Sequence, residues 1–151
     1  MRVRCAFWHV AVSVYQIRLR GEAQVWRVSD GKVLYEARGL MDWVTGLAFS
    51  NDGIWLASGA HDGSVIVRRV SDGQRLFSLQ HSAAIESLTY TRDDGMLIAV
   101  GSPVALWQMP SGAAVDNAGW PGEATQLVLA PDESTLAAGG DWDNVGLWRL
   151  R

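Results

Sequence analysis

The sequence predicts an all-β chain: a partial β-propeller of about three four-stranded antiparallel blades, not closed on its own. Three observations predict it. The run Ala23-Gln24-Val25-Trp26-Arg27-Val28-Ser29-Asp30-Gly31 returns as Val65-Ile66-Val67-Arg68-Arg69-Val70-Ser71-Asp72-Gly73. It returns again as Val104-Ala105-Leu106-Trp107-Gln108-Met109-Pro110-Ser111-Gly112 and as Val145-Gly146-Leu147-Trp148-Arg149-Leu150. The Trp26 position falls at Arg68, Trp107 and Trp148, steps of 42, 39 and 41 residues, the period of one propeller blade. Two more blocks keep the same phase. Tight-turn residues punctuate the short β-branched runs between them, since Gly accepts positive φ, Asp and Asn cap turns, and Pro fixes φ.

Residues 1–20 contain no Gly, Pro, Asp or Asn. Val10, Val12, Val14, Tyr15, Ile17 and Leu19 favour strands and alternate late with Gln16, Arg18 and Arg20, so the segment is strand-capable. It carries none of the repeat blocks. Its uncharged stretch behind Arg2 and Arg4 is too short to span a bilayer and lacks a clear signal cleavage site. Residues 21–39 hold the last two strands, c and d, of a first blade.

Residues 40–79 form a blade with strand a over 44–49, the turn Asn51-Asp52-Gly53, strand b over 54–58, c over 65–70 and d over 75–79. Residues 80–118 repeat it through Ile85-Glu86-Ser87-Leu88-Thr89-Tyr90-Thr91, Asp93-Asp94-Gly95 and Ile98-Ala99-Val100-Gly101. Residues 119–151 repeat it through Ala124-Thr125-Gln126-Leu127-Val128-Leu129-Ala130, Pro131-Asp132-Glu133 and Leu136-Ala137-Ala138-Gly139, ending after strand c.

From residue 21 onward these repeats resemble the WD-repeat family, whose unit carries Gly-His near its start and Trp-Asp at its end. The signatures are eroded. Gly39-Leu40 and Gly119-Trp120 stand where Gly-His belongs, and His81 alone keeps the histidine. Each Trp-Asp is replaced by Trp-Arg, Trp-Gln or Arg68-Arg69. The resemblance implies a buried network joining that histidine, an Asp in the b to c turn, a Ser or Thr on strand b and the Trp on strand c. Its remnants are Trp26, Ser58, His81, Trp107 and Trp148, and no blade has all four members. A half-made polar network is worse than an apolar core, so the blades should rest mainly on Val, Leu, Ile and Trp packing.

The resemblance also implies that the d to a and b to c loops share the usual protein-binding face. There they carry Asp42, Trp43, His61, Asp62, Trp120, Glu123, Asp141, Trp142 and Asp143. Indoles among carboxylates suit a basic protein partner. The other reading of Trp43 and Trp142 is that they pack over blade edges.

Net charge is −3, which lacks the basic footprint of a nucleic-acid or anionic-membrane binder. The charge is uneven. The first twenty residues hold Arg2, Arg4, Arg18 and Arg20 and no acid, while eight acids face only Arg149 and Arg151 from Asp93 onward. One cysteine, Cys5, allows no intrachain disulfide and no Cys-paired zinc site, which fits a reducing, cytoplasmic setting. His9, His61 and His81 fall in different units, and no catalytic constellation, metal site or cofactor loop is present. His61-Asp62 beside Ser58 is better read as the structural turn, and the Asp-rich turns lack calcium-loop spacing.

The expectation is therefore a non-catalytic protein-interaction scaffold. The alternative is a sensor or regulatory propeller piece of a larger protein whose catalytic module lies elsewhere. Blades bury their faces only against neighbours. The remaining ones are expected either from upstream sequence, this being the C-terminal part of a longer propeller, or from self-association.

Overall fold

A computed structural model describes residues 2–7, 10–16, 21–115, 124–132, 134–140 and 146–149. Side chains are described for 21–115 and, beyond it, for 128–132, 134–137, 139, 147 and 149. All regular structure among the described residues is strand. β1 (Arg2–Phe7), β2 (Val10–Gln16), β3 (Ala23–Arg27) and β4 (Val33–Ala37) form the first sheet. β5 (Val44–Phe49), β6 (Trp55–Ala60), β7 (Ser64–Arg69) and β8 (Arg75–Gln80) form the second. The third contains β9 (Ser87–Tyr90), β10 (Met96–Val100), β11 (Ala105–Gln108) and β12 (Ala113–Val115). β13 (Ala124–Leu129), β14 (Thr135–Gly140) and β15 (Gly146–Arg149) form the fourth. Every sheet is an antiparallel meander in chain order, with no closed barrel.

The first sheet is wider than the repeat pattern indicates. β1 and β2 pair with Cys5 opposite Val12, and β2 continues onto β3 with Val14 opposite Val25. The segment before Gly21 thus supplies two strands. Its alternating valines satisfy the strand period although its turn residues differ from those of the repeats.

The core lies between sheets. Ala23, Val25, Ala37 and Leu40 from the first sheet and its following loop pack with Val44, Leu47, Leu56, Ala60, Ile66 and Val70 of the second. Ala48, Ala57, Val65 and Val67 meet Ile85, Leu88, Tyr90, Leu97, Ala99 and Trp107. Ile98, Val100, Val104 and Leu106 meet Leu136. The second and third sheets therefore each have two apolar faces, which explains why their inner strands read as nearly continuous apolar runs rather than clean alternation.

The a to b turns repeat one construction. The Ser50 hydroxyl donates to Asp52 Oδ1 at 2.5 Å and accepts from the Trp55 N–H at 2.8 Å. Thr91 does the same with Asp93 at 2.6 Å and the Met96 N–H at 2.9 Å. In the fourth sheet the Ser134 N–H and hydroxyl donate to Asp132. The Thr91 hydroxyl and the Gly95 N–H hold the Asp93 carboxyl below its ordinary range. These acids are committed to turn geometry.

Candidate interaction rim

The second sheet's loops bring four of the predicted rim residues together. Asp42 Oδ1 accepts the Trp43 N–H at 2.8 Å, which fixes the loop entering β5. The Trp43 carbonyl accepts the His61 N–H at 3.0 Å, tying that loop to the β6–β7 turn. Asp62 Oδ1 then accepts the Ser64 N–H at 2.9 Å and the Ser64 hydroxyl. These hydrogen bonds bring Asp42, Trp43, His61 and Asp62 together at one end of the second sheet and brace both loops.

The β6–β7 turn is wedged against the loop that leads into the third sheet. The Gly63 carbonyl accepts the His81 N–H at 2.8 Å, and Gln80 Nε2 donates to the carbonyls of Asp62 and His81, both at 3.1 Å. Gly63 sits at φ 82, and a Cβ there would lie 2.5 Å from the His81 carbonyl oxygen and 2.7 Å from that of Ala83. Only glycine fits so close an approach.

The indole of Trp43 is 68% exposed and Met41 beside it 88% exposed, whereas Trp107 is 4% exposed in the core. Edge packing thus covers only a minority of Trp43. Exposed apolar surface held on a rigid loop and flanked by carboxylates is chemically suited to docking. Trp120, Glu123, Asp141, Trp142 and Asp143 lie outside the described residues. The cluster missed by sequence reasoning is Met41, whose exposure is a consequence of the loop's path; a lone methionine before Asp-Trp carries no pattern that marks it.

Among the described residues no side-chain hydrogen bond joins the remnants of the polar network to one another. The Ser58 hydroxyl is buried and donates to the Ile66 carbonyl at 3.2 Å. The buried His81 places Nδ1 between the Ala83 carbonyl, at 2.8 Å, and the Ala83 N–H, at 3.1 Å. Its Nε2 is buried without a hydrogen-bond partner, and its ring meets Trp107 edge-on at 6.5 Å. Asp62 caps its own turn. Trp26 is half-buried, with its indole N–H unpartnered. Trp148 is described only in its backbone, paired with Leu136.

Arg68, at the tryptophan position of the second sheet, donates to the carbonyls of Gly73, at 3.1 Å, and Arg38. Burial lowers its pKa, with Arg75 acting in the same direction. Burial pushes Tyr35 up to about 12, partly offset by Arg68. Among the described residues no group of three or more His, Cys, Asp or Glu could hold a metal ion. No described helix is long and apolar enough to cross a membrane.

A sequence model described as "WD domain, G-beta repeat" matches residues 31–68, a stretch running from the end of the first sheet to β7. An uncharacterized WD repeat-containing protein of Synechocystis sp. is 31% identical over 120 residues, covering 74% of this chain and 33% of that protein. The angio-associated migratory cell protein of Homo sapiens is 27% identical over 132 residues, covering 86% and 30%. The small ribosomal subunit protein RACK1y of Oryza sativa subsp. japonica is 26% identical over 136 residues, covering 84% and 40%. The chain spans about a third of the length of the curated relatives it matches.

Proposed function

The chain belongs to the WD-repeat family, and on that premise we propose that it is a non-catalytic protein-interaction scaffold acting in the cytoplasm. Its partner docks on the rim formed by the d to a and b to c loops, and Trp43 is the central anchor. The observation that carries this reading is the contrast between Trp43, largely exposed on a braced loop, and Trp107, buried in the core. An indole in water is an unfavourable arrangement that a partner can relieve, and Trp is enriched among residues that dominate binding energy.

Asp42 and Asp62 add negative charge beside the indole and favour a partner segment rich in Lys or Arg. Trp120, Glu123, Asp141, Trp142 and Asp143 would extend the same acidic and aromatic surface by the repeat. Selection of displayed peptides on the immobilised chain tests the reading. Selected ligands should be enriched in basic residues and should lose at least about tenfold in affinity, equivalent to about 1.4 kcal/mol, on Trp43→Ala. Ligands that bind Trp43→Ala undiminished, with its melting curve unchanged, would place the binding surface elsewhere.

A further inference from the structure

The loop between β4 and β5 carries two apolar side chains into solvent and holds them there. Leu40 is buried between the first and second sheets, and Val44 is buried at the start of β5. The backbone at Leu40 is fixed from behind, since a Cβ on Gly21, at φ 74, would lie 1.7 Å from the Leu40 carbonyl oxygen. At the other end the Trp43 carbonyl accepts the His61 N–H at 3.0 Å. Met41, Asp42 and Trp43 span the gap between the buried anchors, and Asp42 accepts the Trp43 N–H. So short and well tied a span cannot sink into the core, and Met41 stands 88% exposed beside Trp43.

Exposure sets Met41 apart from the other methionines whose side chains are described. Met109 packs against the core between the second and third sheets and Met96 against the core between the third and fourth, each half-buried. A thioether sulfur attacks a peroxide oxygen directly. The S–O bond forms as the O–O bond breaks, and the proton of the transferred hydroxyl passes to the departing oxygen. Sulfur is oxidised by two electrons and the peroxide is reduced to water, or to an alcohol from an alkyl hydroperoxide. The rate follows access to the sulfur, so Met41 reacts first.

The consequence of oxidation differs between these sites as well. A sulfoxide at Met96 or Met109 would set a strong dipole against packed apolar side chains, which is destabilising. At Met41 the same group meets water and the fold is untouched. What changes is the surface, where a flexible apolar side chain next to Trp43 becomes polar and chiral.

We propose, on the reading of the Trp43 rim as the docking surface, that Met41 is a peroxide-sensitive modification site whose oxidation to the sulfoxide weakens docking and leaves the fold intact. A partner pressed against Trp43 loses the apolar contact of the thioether and must strip water from a hydrated S–O group. The change is reversible: methionine sulfoxide reductases return the thioether while two thiols become a disulfide and the oxygen leaves as water.

The 151-residue chain is treated with dilute hydrogen peroxide, quenched, and reduced with dithiothreitol, which reverses disulfide and sulfenic products of Cys5 but not sulfoxides. Peptide mass mapping should find Met41 oxidised at least about tenfold faster than Met96 or Met109, with the melting curve unchanged. Affinity is then read with peptides selected on the immobilised parent chain. Peroxide should weaken it at least about fivefold, the reductase should restore it, and Met41→Gln should show the weakened affinity without peroxide. Met41→Leu, whatever its own affinity, should bind equally before and after treatment. Met96 or Met109 oxidised as fast as Met41, or a melting temperature that falls as Met41 is oxidised, overturns the site. A peptide that Trp43→Ala weakens and oxidised Met41 does not overturns the control of docking and leaves the rim standing. Peptides indifferent to both overturn the rim and the proposal together.

Discussion

Asp94 offers the sharpest test of how neighbouring blades are locked together. Its carboxylate crosses from the third sheet to the second. Oδ1 accepts the Asn51 backbone N–H at 2.7 Å and Asn51 Nδ2 at 2.9 Å, while Oδ2 accepts the Asp52 N–H at 2.9 Å. Asn51 Nδ2 also donates to the Thr91 carbonyl at 2.8 Å. The residue stands at φ 57, where the equivalent turn of the second sheet has Gly53 at φ 72. The third sheet thus holds an aspartate in a conformation that glycine adopts freely, and the three accepted bonds offset that strain.

Charge-assisted hydrogen bonds contribute roughly 1.5–3 kcal/mol each when well shielded. These are exposed and share one carboxylate, so the latch as a whole should contribute about 1–2 kcal/mol. Alanine keeps the left-handed strain that the aspartate already bears, whereas glycine relieves about 1 kcal/mol of it. Asp94→Ala should therefore lower the urea unfolding free energy by about 1–2 kcal/mol and Asp94→Gly by about 1 kcal/mol less than that. Hydrogen exchange at the Asn51 and Asp52 amides should accelerate in both. If both variants match the parent in stability and those two amides exchange unchanged, the latch contributes nothing and the reasoning is wrong.

Three further outcomes are expected. Leu97→Ala, at a fully buried site between the second and third sheets, should cost about 2–5 kcal/mol by chemical denaturation. Gly63→Ala should cost at least about 2 kcal/mol and speed exchange of the His81 amide, because the new methyl meets two carbonyl oxygens at a left-handed φ. Burial raises the pKa of Tyr35 to about 12 and that of Tyr90 still further. In the folded state these phenols keep their protons where unfolded tyrosine, near 10.0, has begun to lose them. The unfolded state then binds fewer protons, so stability should fall as pH rises from about 10 towards 12. Thermal melts across that window, with Tyr35→Phe and Tyr90→Phe flattening the decline, check the sign.

Much of the architecture was legible because a blade's chemistry recurs at a fixed step. Ser50-Asn51-Asp52-Gly53 announces a turn through the side-chain bonds that Ser50 and Asp52 make, and those bonds form. The strands predicted over 44–49 and 75–79 lie at Val44–Phe49 and Arg75–Gln80. Residues 1–20 were legible only in part. Their valines favour strands, but the repeat blocks that would assign those strands to a sheet are missing, and only pairing with β3 shows where they belong. The nearness of Asp42 and Trp43 to His61 and Asp62 was readable by analogy of loop position. The exposure of Met41 and Trp43 was not, because a tryptophan can cover its own blade or face solvent according to the path of one loop.

Local chemistry and period, then, are what this sequence determines by itself: β-branched runs, turn triplets and a step near 41 residues specify strands, turns and the size of the repeating unit. What only the tertiary structure decided are relations between units, since a sheet's faces are buried or exposed according to whether another sheet lies against them. Ala57 and Ala137 occupy the same register in nearly the same sequence block. Ala57 is buried because the third sheet covers it, while Ala137 is only partly so, between exposed Val128 and Leu147. No local pattern distinguishes the two alanines, because the difference lies in the neighbour.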